Sequence, residues 1–268
     1  MTPEEKYLFD LQGYLVLDQV LLPGMIGIMS EALDEMECLD DEEASGRGVM
    51  RRYTKGSPYA TVGAAGPEGL GDYTCDILAY GSPFEDLIDW APALTYVESM
   101  IGESFRLDGT TFMRRNPGGA IAFHHGYAEL LPYSEYAFDN GAFSCVSVKI
   151  SYTLTDVDIE DGCFAVIPGS HKSNFQNPLV GKVPEPDHPL VRPILTRAGD
   201  AIIFSEDLSH GAVHNRGSEV RRTLFYSYAP SFHSSWKGQA PIAVGFEARA
   251  TPQQKRLLEG PIPFQASE

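Results

Sequence analysis

The sequence predicts a mainly β fold with helical additions, a double-stranded β-helix or jelly roll. Three observations carry that expectation. Short apolar runs recur between glycine- and proline-rich turns, the run Phe143 to Leu154 alternates cleanly with period two, and helical patterns precede most of these runs. No linker divides the 268 residues, so 1–268 is expected to form a single domain with a substantial core.

Taken in order, Thr2 can cap a first helix with Pro3 at its opening position and Glu4 and Glu5 in the first turn, and Gln12-Gly13 ends it. Tyr14 to Leu22 reads as a strand and its exit. Pro23 to Cys38 reads as an amphipathic helix with Met25, Ile28, Met29, Leu33 and Met36 on its apolar side. Leu39 to Gly81 has a weak pattern. It is acidic at Asp40 to Glu43, then glycine-rich with Arg47, Arg51, Arg52 and Lys55, basic residues expected on a solvated face before a role in gripping an anionic substrate. Pro83 to Trp90 and Pro92 to Ile101 read as helices, the second closed by Gly102. Phe105 to Arg115 is an expected strand, and Asn116-Pro-Gly-Gly119 a turn into the short strand Ala120 to Phe123, which ends on His124 and His125. Tyr127 to Asn140 is an aromatic, acidic loop.

In Phe143 to Leu154, Val146, Val148, Ile150, Tyr152 and Leu154 share one side, and Ser147, Lys149, Ser151 and Thr153 the other. Alternation by itself puts such a polar face in solvent more often than not. Phe164 to Ile167 and Ala201 to Phe204 follow as strands, separated by a turn at Pro168-Gly169 and a proline-rich excursion from Ser173 to Arg197. His171 is expected to be a turn residue bonding the backbone. Thr223 to Tyr228 is the last core strand before a polar, weakly structured tail.

Two histidines at the ends of strands distant in sequence, His124 and His210, are a common way for a β scaffold to build one metal site. Either histidine alone would more often be a satisfied strand-end residue. The combination is more specific. Asp161-Gly-Cys-Phe-Ala-Val-Ile-Pro-Gly-Ser-His-Lys172 and His210-Gly-Ala-Val-His-Asn-Arg-Gly-Ser-Glu-Val-Arg-Arg222 resemble the phytanoyl-CoA dioxygenase family of iron(II), 2-oxoglutarate-dependent oxygenases. The likeness runs from Asp10 to the stretch Phe225-Tyr-Ser-Tyr-Ala-Pro230. It implies Fe(II) held by His124 and His210, 2-oxoglutarate and O2 as cosubstrates, and Arg221, eleven positions after His210, bound to the distal carboxylate of 2-oxoglutarate. It also favours an interior position for Ser151, near the cosubstrate. Adjacent strand residues face opposite ways, so only one of Arg221 and Arg222 can serve the pocket.

One position departs from the family. Its His-x-Asp motif reads His124-His125-Gly126 here, and a shift by one to His125 puts Tyr127 at the acid's place. Neither supplies a carboxylate. Chloride could then bind iron directly and the reaction be halogenation, or Glu129, water or substrate could supply the ligand and the reaction be hydroxylation. A third outcome is a weak iron site in a non-catalytic binding protein, and a cupin-like metal-binding isomerase is the rival with the same architecture. Ala212 stands where the family often has a serine, and His214 is expected to be a loop residue.

Composition bounds the partners. A net charge of -17 argues against unaided binding to nucleic acid or an anionic membrane, and the family resemblance implies a small-molecule substrate. The four cysteines form no Cys-x-x-Cys pair and read as reduced thiols, and no run approaches a membrane span, so a cytoplasmic protein is expected. Gly-x-Ser-x-Gly and Gly-x-Gly-x-x-Gly motifs are both lacking, which removes the hydrolase and dinucleotide-binding readings.

Overall fold

A computed structural model describes residues 1–53, 72–125, 136–234 and 242–261. Helix α1 (Pro3–Gln12) opens with a reciprocal capping box: the Thr2 hydroxyl accepts from the Glu5 N–H, and the Glu5 carboxylate accepts from the Thr2 N–H. Strand β1 (Tyr14–Leu17), helices α2 (Pro23–Cys38) and α3 (Asp41–Gly46), strands β2 (Arg52–Tyr53) and β3 (Tyr73–Cys75), and helix α4 (Ala91–Ile101) follow. The central strands are β4 (Phe105–Arg115), β5 (Ile121–His124), β6 (Ala137–Asp139), β7 (Ala142–Ser144) and β8 (Val148–Thr153). They continue with β9 (Phe164–Val166), β10 (Arg192–Ile194), β11 (Ala201–Ser205), β12 (His210–Ala212) and β13 (Arg221–Pro230), before helices α5 (Phe246–Arg249) and α6 (Pro252–Leu258).

Among the described residues the strands form a seven-stranded sheet, β1-β11-β8-β13-β4-β3-β2, a four-stranded sheet, β10-β9-β12-β5, and the hairpin β6-β7, with antiparallel pairing throughout. From β4 onward the chain passes repeatedly between the two larger sheets, as a jelly roll requires. Each sheet must bury one face against something apolar, and the large one buries both. Its outer face, with Ile150, Tyr152, Leu224, Tyr226 and Tyr228, packs against Met29, Leu33 and Met36 of α2 and Leu94 and Val97 of α4. Tyr14, Phe164, Val166, Ile202, Phe204 and Leu208 fill the space between the sheets.

Strand β8 divides its residues between these two layers. Val148, Ile150 and Tyr152 point to the helices, while Ser151 lies opposite Ile202 and Phe225 on the inner face and is 1% exposed. The polar side of the alternating run therefore lines the interior instead of meeting solvent, because helices already occupy the other side.

Several local expectations change. The run from Phe143 breaks into β7 and β8, and Phe84–Leu87 winds as a 3-10 turn where an α-helix was expected. The weak region after Leu39 contains α3, whose own capping box pairs Asp40 with Glu43, as well as β2 and β3. Two of its arginines are engaged structurally: Arg51 donates to the Leu39 and Met36 carbonyls and to Asp41, and Arg52 to Asp76, while Arg47 is exposed. Lys55 lies outside the described residues. The tail is better structured than its polarity suggests, since Thr251 and Gln254 form a third capping box and α6 buries Leu257 and Leu258. No described helix is long and apolar enough to cross a membrane.

Candidate metal and cosubstrate site

His124 ends β5 and His210 begins β12, and the antiparallel ladder sets the two directly opposite each other. Their ring centroids are 4.2 Å apart. It is His124, and not His125, that this register brings to His210. Close approach of the two strands depends on Gly211, where a Cβ would lie 2.6 Å from the Ile121 carbonyl oxygen. The His210 ring is nearly parallel to Phe164, at 5.6 Å, and tilted against Phe204, at 4.9 Å.

Each imidazole turns Nδ1 to a backbone carbonyl two residues upstream, His124 to Ala122 at 3.0 Å and His210 to Leu208 at 2.7 Å. An Nδ1–H donating there leaves the lone pair on Nε2, the usual ligating arrangement. Burial, followed by the like charge of His124, pushes His210 down to about 3, and burial lowers His124 as well. Both rings are thus neutral near pH 7, the protonation state a metal needs.

An ion pair that the sequence did not single out stands beside them. Lys149, on the inner face of β8, contacts the Glu206 carboxylate at 2.7 Å and lies over the Phe225 ring at 5.9 Å. Burial tends to raise the Glu206 carboxyl, but Lys149 and the two histidines outweigh it and the net shift is downward. The signal for Lys149 was its place on the polar side of the alternating run. For Glu206 it was only a position four residues before His210.

Among the described residues no three histidine, cysteine or acidic side chains converge as a metal-binding group. Gly126, Tyr127 and Glu129, on which the question of a third ligand turns, lie outside the described residues.

Arg221 starts β13 directly opposite Arg115, at the end of β4. Both face the interior and are buried, 8% and 4% exposed, and both donate to the Gly162 carbonyl, Arg115 at 3.2 Å. Gly162 takes a positive φ of 77° and touches Asn215, where any side chain would clash at 2.9 Å. Burial lowers Arg221, and burial with the neighbouring Arg221 charge lowers Arg115. Their neighbours point outward: Arg222 pairs with Asp34 and Glu37, each at 2.6 Å, and Arg114 with Glu37 at 3.4 Å. Arg221, Thr223 and Phe225 share the inner face, and Phe225 packs against the cluster containing Phe164 and Phe204, so arginines and histidines open on one interior.

The remaining candidates do not join them. His171 packs among Phe9 and Tyr136, with Nε2 3.2 Å from the Asp10 carbonyl, and His214 is an exposed loop residue near the Gly118 carbonyl. Asn215 ties its turn together, its Nδ2 donating to the Glu219 carbonyl.

Comparison with known proteins agrees with this architecture. The chain is 25% identical over 157 residues to the dioxygenase lolE1 of Epichloe uncinata, an alignment covering 57% of each protein. It is 26% identical to the dioxygenase trt7 of Aspergillus terreus over 57% of this chain and 50% of that one, so it spans little more than half the length of these relatives. HygX from Streptomyces hygroscopicus, solved with nickel, 2-oxoglutarate and hygromycin B, superposes with a TM-score of 0.67 at 23% identity, over 88% of this chain and 90% of that one. The 2-oxoglutarate-dependent carbocyclase SnoK from nogalamycin biosynthesis does so at 0.60 and 17%, over 99% and 94%, and at such identities both show the shared fold alone. The sequence pattern of one family matches residues 9–223, and on that match the chain belongs to the phytanoyl-CoA dioxygenase (PhyH) family, whose members are iron- and 2-oxoglutarate-dependent oxygenases.

Proposed function

We propose that the protein oxidises an unactivated C–H bond of a small organic molecule, with Fe(II), 2-oxoglutarate and O2, and that residues 1–268 act as one domain of this kind. The observation that carries this reading is the β5–β12 ladder, which faces two neutral imidazoles toward each other with both Nδ1 atoms committed to the backbone. Two imidazoles suit Fe(II), and a donor set of this kind leaves coordination positions for other ligands. His124 and His210 would hold the metal. Arg221 would bind the distal carboxylate of 2-oxoglutarate through its planar guanidinium, and Ser151 would offer a hydroxyl from the inner face of β8.

Iron, 2-oxoglutarate and O2 together supply the oxidising power. The chain's own residues do the rest: the carbonyls of Ala122 and Leu208 fix the imidazole tautomers, Phe164 and Phe204 hold the His210 ring and keep water from it, and Lys149 and Glu206 act on the histidines with opposite sign, so their effects offset. Oxygen insertion, giving hydroxylation, is the first reading. Halogenation is the second, favoured by Gly126, which supplies no carboxylate where the family's motif has one.

Anaerobic addition of Fe(II) and 2-oxoglutarate tests both. A metal-to-ligand absorption band is expected. A band that shifts with chloride would favour halogenation, and one indifferent to halide would favour hydroxylation. Absence of any band, together with no succinate release or O2 uptake once O2 is admitted, would leave the binding protein or the cupin-like isomerase.

A further inference from the structure

Two buried arginines on the inner face share one partner. Gly162 offers a single carbonyl to both, and Arg115 Nε and Nη1 and Arg221 Nε have no acceptor. Asp72 and Asp161 act on them only through space. Two like charges opposite each other on neighbouring strands repel, and burying cations with donors unfilled is costly unless an anion completes the arrangement. The outward pair on the same strands, Arg114 and Arg222, has its anions already, from Glu37 and Asp34. Lack of acidic residues is not the cause in a chain carrying 37 of them.

We propose that Arg115 is a second anchor, beside Arg221, for the distal carboxylate of a five-carbon 2-oxo diacid. This rests on the cosubstrate reading above. A carboxylate offers about four acceptor sites, enough to take the donors that one carbonyl cannot satisfy, and it places a negative charge between two positive ones. The arrangement makes the pocket selective for a 2-oxo diacid over a 2-oxo monoacid, because a monoacid leaves both guanidiniums uncompensated.

Calorimetric titration of the Mn(II)-loaded protein without O2 separates the two readings. The parent should bind 2-oxoglutarate, and R115M, whose side chain replaces the arginine stem in volume, should bind it roughly tenfold to a hundredfold more weakly, as for loss of a charged hydrogen bond. Pyruvate, lacking the distal carboxylate, should bind weakly and equally to both. Affinity for 2-oxoglutarate unchanged in R115M would overturn the role of Arg115 and leave Arg221 as the sole anchor. No binding by the parent would overturn the proposed function and this inference with it. Should R115M fail to fold, R115Q decides: weakened binding supports the anchor, and parental affinity refutes it.

Discussion

Arginines of identical type sit side by side on β4 and β13, and the two faces of the large sheet treat them oppositely. On the outer face Arg114 and Arg222 converge on Glu37, with Asp34 closing the cluster at the surface. On the inner face Arg115 and Arg221 meet one carbonyl and keep unfilled donors. A charge whose partner is built into the fold ties helix α2 to the sheet. A charge left short of partners costs stability in the free protein, a cost that binding an anion can offset. On that difference the outer pair reads as a structural ion cluster and the inner pair as the proposed carboxylate site.

Substitutions that remove one side of this contrast should separate stability from binding. Glu37→Leu leaves two cations facing each other under α2 and should cost roughly 3–5 kcal/mol of stability, read from the denaturant midpoint, with 2-oxoglutarate binding retained by the folded fraction. Equal stability of parent and variant would erase the distinction between the faces.

Protonation extends the contrast to a buried neutral group. Burial and the charge of Lys172 push His171 from its ordinary 6.5 down to about 4, so the unfolded chain binds this proton more readily than the folded one. The contribution is complete above pH 6.5 and is lost as pH falls toward 4, about 3 kcal/mol in all. H171F should flatten that part of the stability profile between pH 7 and pH 4, and an unaltered slope would count against it.

On the inner face, Arg221→Met should lower 2-oxoglutarate affinity by roughly 1.5–3 kcal/mol while moving stability by less than about 1 kcal/mol, the reverse of the Glu37 result. Gly211→Ala pushes a methyl group against the Ile121 carbonyl, parting β12 from β5 at a cost of about 1–3 kcal/mol. Weaker Mn(II) binding should accompany it, because the ladder that separates is the one that aligns His124 with His210. Asp34→Ala should be the mildest change, under roughly 0.5 kcal/mol, since its carboxylate is 64% exposed and water replaces much of what the pair provides.

Much of this was legible in the residues. Thr2-Pro3 with Glu5 announced α1, the Asn116–Gly119 turn announced β5, and the clean alternation around Ile150 announced β8 with two chemically different faces. Helix α6 was missed although Thr251-Pro252 and Gln254 carry the same capping signature as α1, because the surrounding polarity masked it. Arg115 gave no usable signal, and Glu206 only its position four residues before His210. Arg115 takes its proposed role from its place opposite a residue 106 positions away, and Glu206 is fixed by a lysine on another strand.

By itself the sequence determined the class of fold, the turns and caps, and the residue types available for a metal and a carboxylate, since all of these follow from local dihedral preferences and periodicity. The tertiary structure decided which face of β8 looks inward, which histidine of the pair meets His210, and which arginine gains a twin. Those choices depend on strand register, which is set by nonlocal ladders: a slip of one residue turns every side chain to the opposite face, and no local pattern fixes it.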